Sequence, residues 1–202
     1  MLFSHRPAQA SQASQIAQTT PSSSQSLEQE DESTESSSPS LLHRLDLRVG
    51  RIVSVKRHEG ADTLYIQEDH PPAPKATRTI VSGLVPYVSA SELSDSSVVL
   101  VRNLKPAKLR GVFSQGMLLC AEREGQVTPL RPPVGSLPGD RIWAQGHDLG
   151  DPDPVIRPKL KIVEQVCRDL RTNEDSVPTY RGEVLRTSSG PLYTSLPNAS
   201  IR

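Results

Sequence analysis

The stretch that decides the fold is VVLVRNLKPAKLRGVFSQGMLLCA, residues 98–121. Its first and last segments are apolar runs with the length of buried strands. Between these runs, four cations fall within nine residues: Arg102, Lys105, Lys108 and Arg110. Charged side chains between two core strands belong at strand ends or turns, where they stay solvated. The stretch therefore predicts a small β-rich domain that displays cations from one part of its surface.

The sequence on both sides of this stretch adds further strands. The segments LDLRVGRIVSVKRH (45–58), LYIQED (64–69) and TIVSGLV (79–85) are separated by turn residues, and a final strand is expected around residues 141–144. Gly50 predicts a bulge or tight bend in the first of them. VSASELSDSS (88–97) predicts a short helix or an irregular connection. Five or six short strands with Gly- and Pro-rich turns are typical of a small barrel.

Composition divides the chain of 202 residues into three parts. Residues 1–40 are rich in Ser, Gln, Ala and Thr and nearly lack apolar side chains, so we predict that they are disordered. Residues 41–147 hold the barrel. Residues 148–202 begin with a Pro-rich linker, continue with one amphipathic helix in KLKIVEQVCRDL (159–170), and end in short strands and turns. The expected fold class is thus dominated by β-structure: a disordered tail, a five-stranded barrel and a small β-rich domain with one helix.

The formal net charge of zero conceals an uneven distribution of charge. Residues 1–40 hold five acids and one cation, so the other 162 residues carry 22 Lys or Arg against 18 Asp or Glu. This bias permits a polyanionic partner without requiring one. Cys120 and Cys167 are too few to form a zinc site alone and predict free thiols of a reducing compartment. No apolar stretch approaches the roughly 20 residues of a membrane span, so no membrane partner is expected.

Motifs of catalysis are absent from the sequence. We find no Gly-rich phosphate loop, no nucleophile elbow and no metal-ligand spacing among the five histidines. The expectation is a protein that is not an enzyme, with no catalytic residue, no cofactor and no metal. Binding has more support, because cations on a small barrel can form a groove for nucleic-acid phosphates. A second basic cluster, Lys56, Arg57 and His58, ends the first strand. From spacing alone, ordinary solvated charges remain a serious alternative, since charges near turns are usually just solvated.

Several blocks of the sequence resemble one known family. NLKPAKLRGVFSQGMLLCA (103–121) is similar to the signature of the tRNA-binding OB-fold domain of aminoacyl-tRNA synthetase cofactors. The same family also matches three further blocks, in the same order along the chain: ADTLYIQE, TIVSGLV and PPVGSLPGDRI. RPKLKIVEQVCRDLRTNEDSVPTYRG (157–182) resembles the extra C-terminal domain of the subgroup that includes endothelial-monocyte-activating polypeptide II.

This resemblance implies a function as well as a fold. It implies a cytoplasmic, non-catalytic protein that binds tRNA by backbone and shape, with little sequence specificity. It also implies aminoacyl-tRNA synthetases of methionyl or tyrosyl type as partners, and a pseudo-dimeric monomer whose C-terminal domain mimics a second subunit. The expected tRNA-binding residues are Asn103, Lys105, Lys108, Arg110, Ser114, Met117, Ser82, Lys56, Arg57, His58 and Arg102. Met117 and Ser82 fit the core equally well.

One alternative of another class stays open. RVGRIVS (48–54) resembles a segment implicated in cytokine activity, although it is also the first barrel strand. The chain could therefore be a protein-interaction or cytokine-like module whose RNA site is vestigial. Glu59 adds a negative charge beside the second basic cluster, which weakens the case for strong binding there.

Overall fold

Strands dominate the computed structural model, which describes residues 40–71, 76–147 and 149–202. The first ten strands are β1 (Leu47–His58), β2 (Ala61–Asp69), β3 (Arg78–Ser82), β4 (Ser97–Val101), β5 (Ala107–Leu109), β6 (Val112–Ser114), β7 (Met117–Leu118), β8 (Cys120–Arg123), β9 (Gln126–Pro129) and β10 (Trp143–Ala144). Five more follow: β11 (Leu170–Thr172), β12 (Pro178–Tyr180), β13 (Glu183–Thr187), β14 (Gly190–Pro191) and β15 (Ser200–Ile201). The helices are α1 (Ala90–Leu93), α2 (Ile162–Arg168) and two 3-10 turns, Leu42–Arg44 and Pro158–Leu160.

The strand-dominated fold class is confirmed, and so is the helix of the C-terminal region. That helix is shorter than predicted, because Leu160 lies in a 3-10 turn and Leu170 already belongs to β11. Ile162 and Val166 form its buried face. The prediction missed β5 and β6, which lie inside the cation-rich segment.

β1 is the central strand of a five-stranded antiparallel sheet with the order β3-β2-β1-β4-β7. Its ladder with β4 is regular through Gly50, and the irregularity in its ladder with β2 lies between Ile52 and Ser54. The prediction of a bulge at Gly50 was therefore wrong. Glycine is needed there because a Cβ atom would collide with the side chain of Leu100 and lie 2.7 Å from Asp69 Oδ1.

The two edges of this sheet, β3 and β7, meet and close a barrel. The backbone N–H of Gln115 donates to the carbonyl oxygen of Thr79 at 2.8 Å, and the N–H of Thr79 donates to Gln115 Oε1 at 3.0 Å. Gly116 allows this close approach, since a Cβ atom would lie 2.9 Å from both Ile80 Cδ1 and the Val101 oxygen. Aliphatic side chains such as Ile52 fill the interior. The predicted OB-fold barrel is confirmed.

β4 is buried on both faces, which explains its continuous apolar run. Val98 and Leu100 face the barrel interior, whereas Val99 and Val101 pack into a second core together with Ile156 and other residues of the C-terminal region. A second sheet, with the order β10-β13-β12-β11-β15-β8-β9 and β14 paired to β13, joins the two regions by hydrogen bonds between β15 and β8. Residues on both sides of the predicted boundary at 147/148 thus share one core. The division into two domains stays a prediction.

Other sequence expectations concern the tail and the cysteines. All of the predicted disordered segment except Ser40 lies outside the described residues. Cys120 and Cys167 are free thiols, and burial raises their pKa values to about 12 and about 11. Within the described ranges, we find no helix long and apolar enough to cross a membrane and no group of three potential metal ligands.

Candidate nucleic-acid interface

The cation-rich segment folds as a tight hairpin. β5 and β6 pair antiparallel through Leu109 and Val112, which leaves Arg110 and Gly111 as a two-residue turn. Both residues have positive φ, 47° and 101°. This is the geometry of the type I′ turn, which matches the twist of the two strands. Holding an arginine in the left-handed region costs about 1 kcal/mol, a penalty that a glycine or asparagine would largely avoid.

The hairpin displays its cations to solvent. Lys108 and Phe113 are cross-strand partners on one face, with the ammonium 5.8 Å from the ring centroid. Lys105 and Arg110 are also exposed. Among the residues that the structure describes, no carboxylate forms an ion pair with Lys105, Lys108 or Arg110. These three charges are therefore available to an external anion.

Ser114 anchors the hairpin to the barrel rather than facing solvent. Its buried hydroxyl oxygen accepts a hydrogen bond from the N–H of Val81 at 3.0 Å and donates to the carbonyl oxygen of Gly116 at 2.9 Å. Ser82 is half-buried, and its hydroxyl donates to Gln67 Oε1 at 3.2 Å. Both serines thus use their hydroxyl groups within the protein.

Asn103 is buried and joins three segments that are distant in sequence. Its amide nitrogen donates to the carbonyl oxygens of Arg44 and Asp153, both at 2.8 Å. Its side-chain oxygen accepts a hydrogen bond from the N–H of Asp46 at 3.0 Å. Because both donors are used, the side chain fixes the backbone that leads into the hairpin.

Arg102 is also buried, and its charge is opposed from within the protein. One guanidinium nitrogen lies 3.9 Å from Asp69 Oδ2, with both side chains almost completely buried. Burial raises the pKa of Asp69, an effect that the charge of Arg102 partly offsets. Burial, together with the nearby charge of Arg78, lowers the pKa of Arg102. Arg102 thus displays little charge to solvent.

The second basic cluster lies at the same end of the sheet as the hairpin. Arg57 pairs with Tyr65, Tyr65 pairs with Ser82, and the neighbouring Val81 is hydrogen-bonded to Ser114. β1 is therefore two strand spacings, about 10 Å, from β3. Lys56 and Arg57 are exposed, whereas His58 is buried and its Nδ1 accepts a hydrogen bond from Gly60 N–H.

The C-terminal region lies against the foot of the hairpin, which the sequence alone did not reveal. The N–H of Lys105 donates to the carbonyl oxygen of Ile156 at 3.1 Å, and the N–H of Ile156 donates to that of Asn103 at 2.6 Å. These bonds bring the exposed Arg157 beside Lys105. Two more exposed cations, Lys159 and Lys161, follow it. The run RPKLK is the sequence signal for these cations, although the helix predicted over residues 159–170 already includes both lysines.

Comparison with known proteins agrees with this geometry. Residues 47–141 match the family described as "Putative tRNA binding domain". Over these residues the chain resembles that family of tRNA-binding domains. The tRNA-binding domain and the C-terminal region together resemble the C-terminal domain of Plasmodium vivax p43, with a TM-score of 0.76 and 29% identity over 80% of this chain and 98% of that one.

Two curated relatives extend the comparison. The chain is 49% identical over 146 residues to the aminoacyl tRNA synthase complex-interacting multifunctional protein 1 of Cricetulus griseus, which covers 72% of this chain and 40% of the relative. It is 46% identical over 162 residues to the cytoplasmic tyrosine–tRNA ligase of Xenopus tropicalis. This match covers 76% of this chain and 29% of the ligase. The chain thus spans less than half the length of these relatives. The predicted family is confirmed.

Met117 lies at the border between the tRNA-binding domain and the C-terminal region. It is half-buried and packs against the second core. It also lines an open cavity of about 350 Å³ at the foot of the hairpin, together with Lys105 and Ile156. Met117 is thus part of the second core and also lines the cavity, and its role in tRNA binding stays a prediction.

Proposed function

We propose that this chain is a non-catalytic tRNA-binding protein that serves as an accessory factor of aminoacyl-tRNA synthetases. The observation that carries the proposal is the anchored hairpin with Lys105, Lys108 and Arg110 exposed and unpaired. Contacts from lysine and arginine to phosphates position a protein on nucleic acid without carrying sequence information. The protein therefore binds tRNA by backbone and shape, with little sequence specificity.

The predicted site residues act in two ways in this proposal. The exposed cations Lys105, Lys108 and Arg110 contact phosphates, and Lys56 and Arg57 extend the same surface. The inward-facing residues position them: Asn103 and Arg102 lead into the hairpin, Ser114 and Ser82 hold its edge of the barrel, and His58 ends β1. Met117 contributes to the cavity at the foot of the hairpin.

The proposed partners and location rest on the names of relatives. These are tyrosine–tRNA and methionine–tRNA ligases described as cytoplasmic, and a synthase complex-interacting protein. Tyrosyl- or methionyl-type synthetases in the cytoplasm are therefore the proposed partners. A pseudo-dimeric monomer, with the C-terminal region in the place of a second subunit, is supported by the core that both regions share.

A titration of the protein with tRNA over a range of salt concentrations tests the proposal. Three or four neutralised phosphates release counterions, so log affinity should fall with log salt at a slope of about −3 to −4. Several tRNAs of different sequence should give similar affinities. Absence of binding at low salt would overturn the proposal and favour the protein-interaction or cytokine-like alternative.

A further inference from the structure

The cavity at the foot of the hairpin has one wall from each region of the molecule. Lys105 and Ala107 form the wall on the hairpin side. Val163 of α2 and Arg157, which lies beside Lys105, belong to the wall that the C-terminal region contributes. Its volume of about 350 Å³ lies within the range of small-molecule sites. The tRNA-binding domain alone supplies only part of the lining of this cavity.

The lining is mostly aliphatic, while the charges lie on exposed residues of the two walls. Leu104, Met117 and Ile156 are three of the apolar residues that line it. Lys105 and Arg157, which lie beside each other, both line the cavity and bring positive charge to it, and both side chains are exposed. Among the described lining residues, Glu164 is the single carboxylate. An occupant that fits these surroundings has an apolar body, N–H groups at its edge and negative charge beside it.

We propose that this cavity receives one unpaired base of the bound RNA, while Lys105 and Arg157 neutralise the phosphates next to that base. The inference rests on the proposed function, since the base belongs to the same RNA whose backbone contacts the hairpin. The faces of a base are apolar, and its edge offers N–H donors that the carboxylate of Glu164 can accept. The protein thereby distinguishes RNA with exposed loops from continuous duplex.

The test uses two RNAs and the full chain. One RNA is a stem–loop with a single 2-aminopurine in its loop, and the other is a continuous duplex of the same length that carries 2-aminopurine in a base pair. A base that leaves its stacked neighbours for an aliphatic cavity becomes more fluorescent. We expect the wild type to bind the stem–loop about 10-fold more tightly than the duplex, because the loop base buries apolar surface in the cavity, and to increase the fluorescence of the loop base only.

Filling the cavity should remove this preference. Ala107 is exposed and lies in a strand, so Ala107→Phe is compatible with the fold and places a ring in the cavity. The variant should lose the fluorescence increase and the preference for the stem–loop, with an unchanged affinity for duplex. Val163→Phe fills the cavity from the opposite wall and should act alike. Val134→Phe is the matched control, because Val134 is 97% exposed and does not line the cavity.

The outcomes separate this inference from the proposed function. If the wild type binds neither of these RNAs nor tRNA at low salt, the proposed function itself fails; if it binds tRNA alone, the proposed function stands and the base site is overturned. If it binds both RNAs equally with a steep salt dependence, the proposed function stands and the base site is overturned. An unchanged fluorescence response in folded Ala107→Phe and Val163→Phe would also overturn the base site. So would an acidic apolar peptide that binds more tightly than the stem–loop and is excluded by the same variants, since it would make the cavity a peptide site.

Discussion

Residues 102–103 and residues 105–110 are neighbours in sequence, yet the structure surrounds them in opposite ways. Arg102 and Asn103 are buried and bonded to segments far along the chain. Lys105, Lys108 and Arg110 are exposed and lack ion-pair partners among the described residues. A motif that looks like one set of RNA contacts is therefore divided into a buried frame and an exposed cationic surface, which we propose as the contact surface. One sequence signature can combine residues that position the backbone with residues that stay exposed to solvent.

Replacement of Asn103 should give the largest loss in the free energy of unfolding. Asn103→Ala removes three hydrogen bonds and leaves two carbonyl oxygens and one N–H without their partner. Unsatisfied buried groups cost about 1–3 kcal/mol each, so we expect a loss of about 3 kcal/mol in the free energy of unfolding. Urea unfolding measures it. Lys105→Ala, on the contact surface, should leave the unfolding midpoint unchanged, and equal losses for the two variants would refute the division.

A smaller, pH-dependent effect on the free energy of unfolding should come from the ion pair between Arg44 and Asp153, the two residues whose carbonyl oxygens accept hydrogen bonds from Asn103. Arg44 donates hydrogen bonds to both oxygens of Asp153 and lowers the pKa of this carboxyl below its ordinary value of 3.8. Because the folded state holds the charged form, the stabilisation is present above the ordinary value and disappears as pH falls through it to the lowered one.

Asp153→Asn provides the measurement for this pH dependence. The difference in unfolding free energy between wild type and variant should be constant from pH 7 to about pH 5 and shrink below about pH 4. Asp151→Asn, at an exposed position nearby, is the matched control and should produce no such difference. A difference that stays constant down to pH 2.5 would contradict the role of the ion pair.

The smallest stability effect, and one of opposite sign, is expected on the contact surface. Arg110→Asn places a residue that favours the left-handed region at φ 47° and should stabilise the protein by about 0.5 kcal/mol. It should also weaken tRNA binding several-fold because a phosphate contact is lost. Arg110→Lys keeps the charge and should keep the affinity within about twofold. A stabilised variant with full affinity would remove Arg110 from the contact surface.

The local sequence pattern was sufficient to predict several main strands and the helix of the C-terminal region. The alternation along β1, the apolar run of β4 and the periodicity of α2 are set by burial of neighbouring residues, and each was predicted. The hairpin was missed because Ala107, Lys108 and Leu109 show neither alternation nor an apolar run. The turn of the hairpin does carry a sequence signal, because Gly111 follows the polar Arg110 and glycine readily adopts a positive φ.

The burial of Asn103 and Arg102 could not be predicted from their neighbours. Asn103 is covered by residues 44–46 and 153, and Arg102 lies against Asp69, all distant in sequence. The cavity could not be predicted for the same reason, because Ile156 and Val163 reach the hairpin only through the packing of the C-terminal region. Contacts of this kind depend on tertiary structure, which a motif does not encode.

The most direct test of the division between frame and contact surface is a tRNA titration over salt with Lys105→Glu/Lys108→Glu. Arg123→Glu/Arg171→Glu, at two exposed positions of the second sheet, makes the same change in net charge and is the control. We predict that the hairpin variant melts as the wild type does, binds all tRNAs more weakly and loses about half of the salt slope. An unchanged melt together with an unchanged affinity and slope would contradict the account.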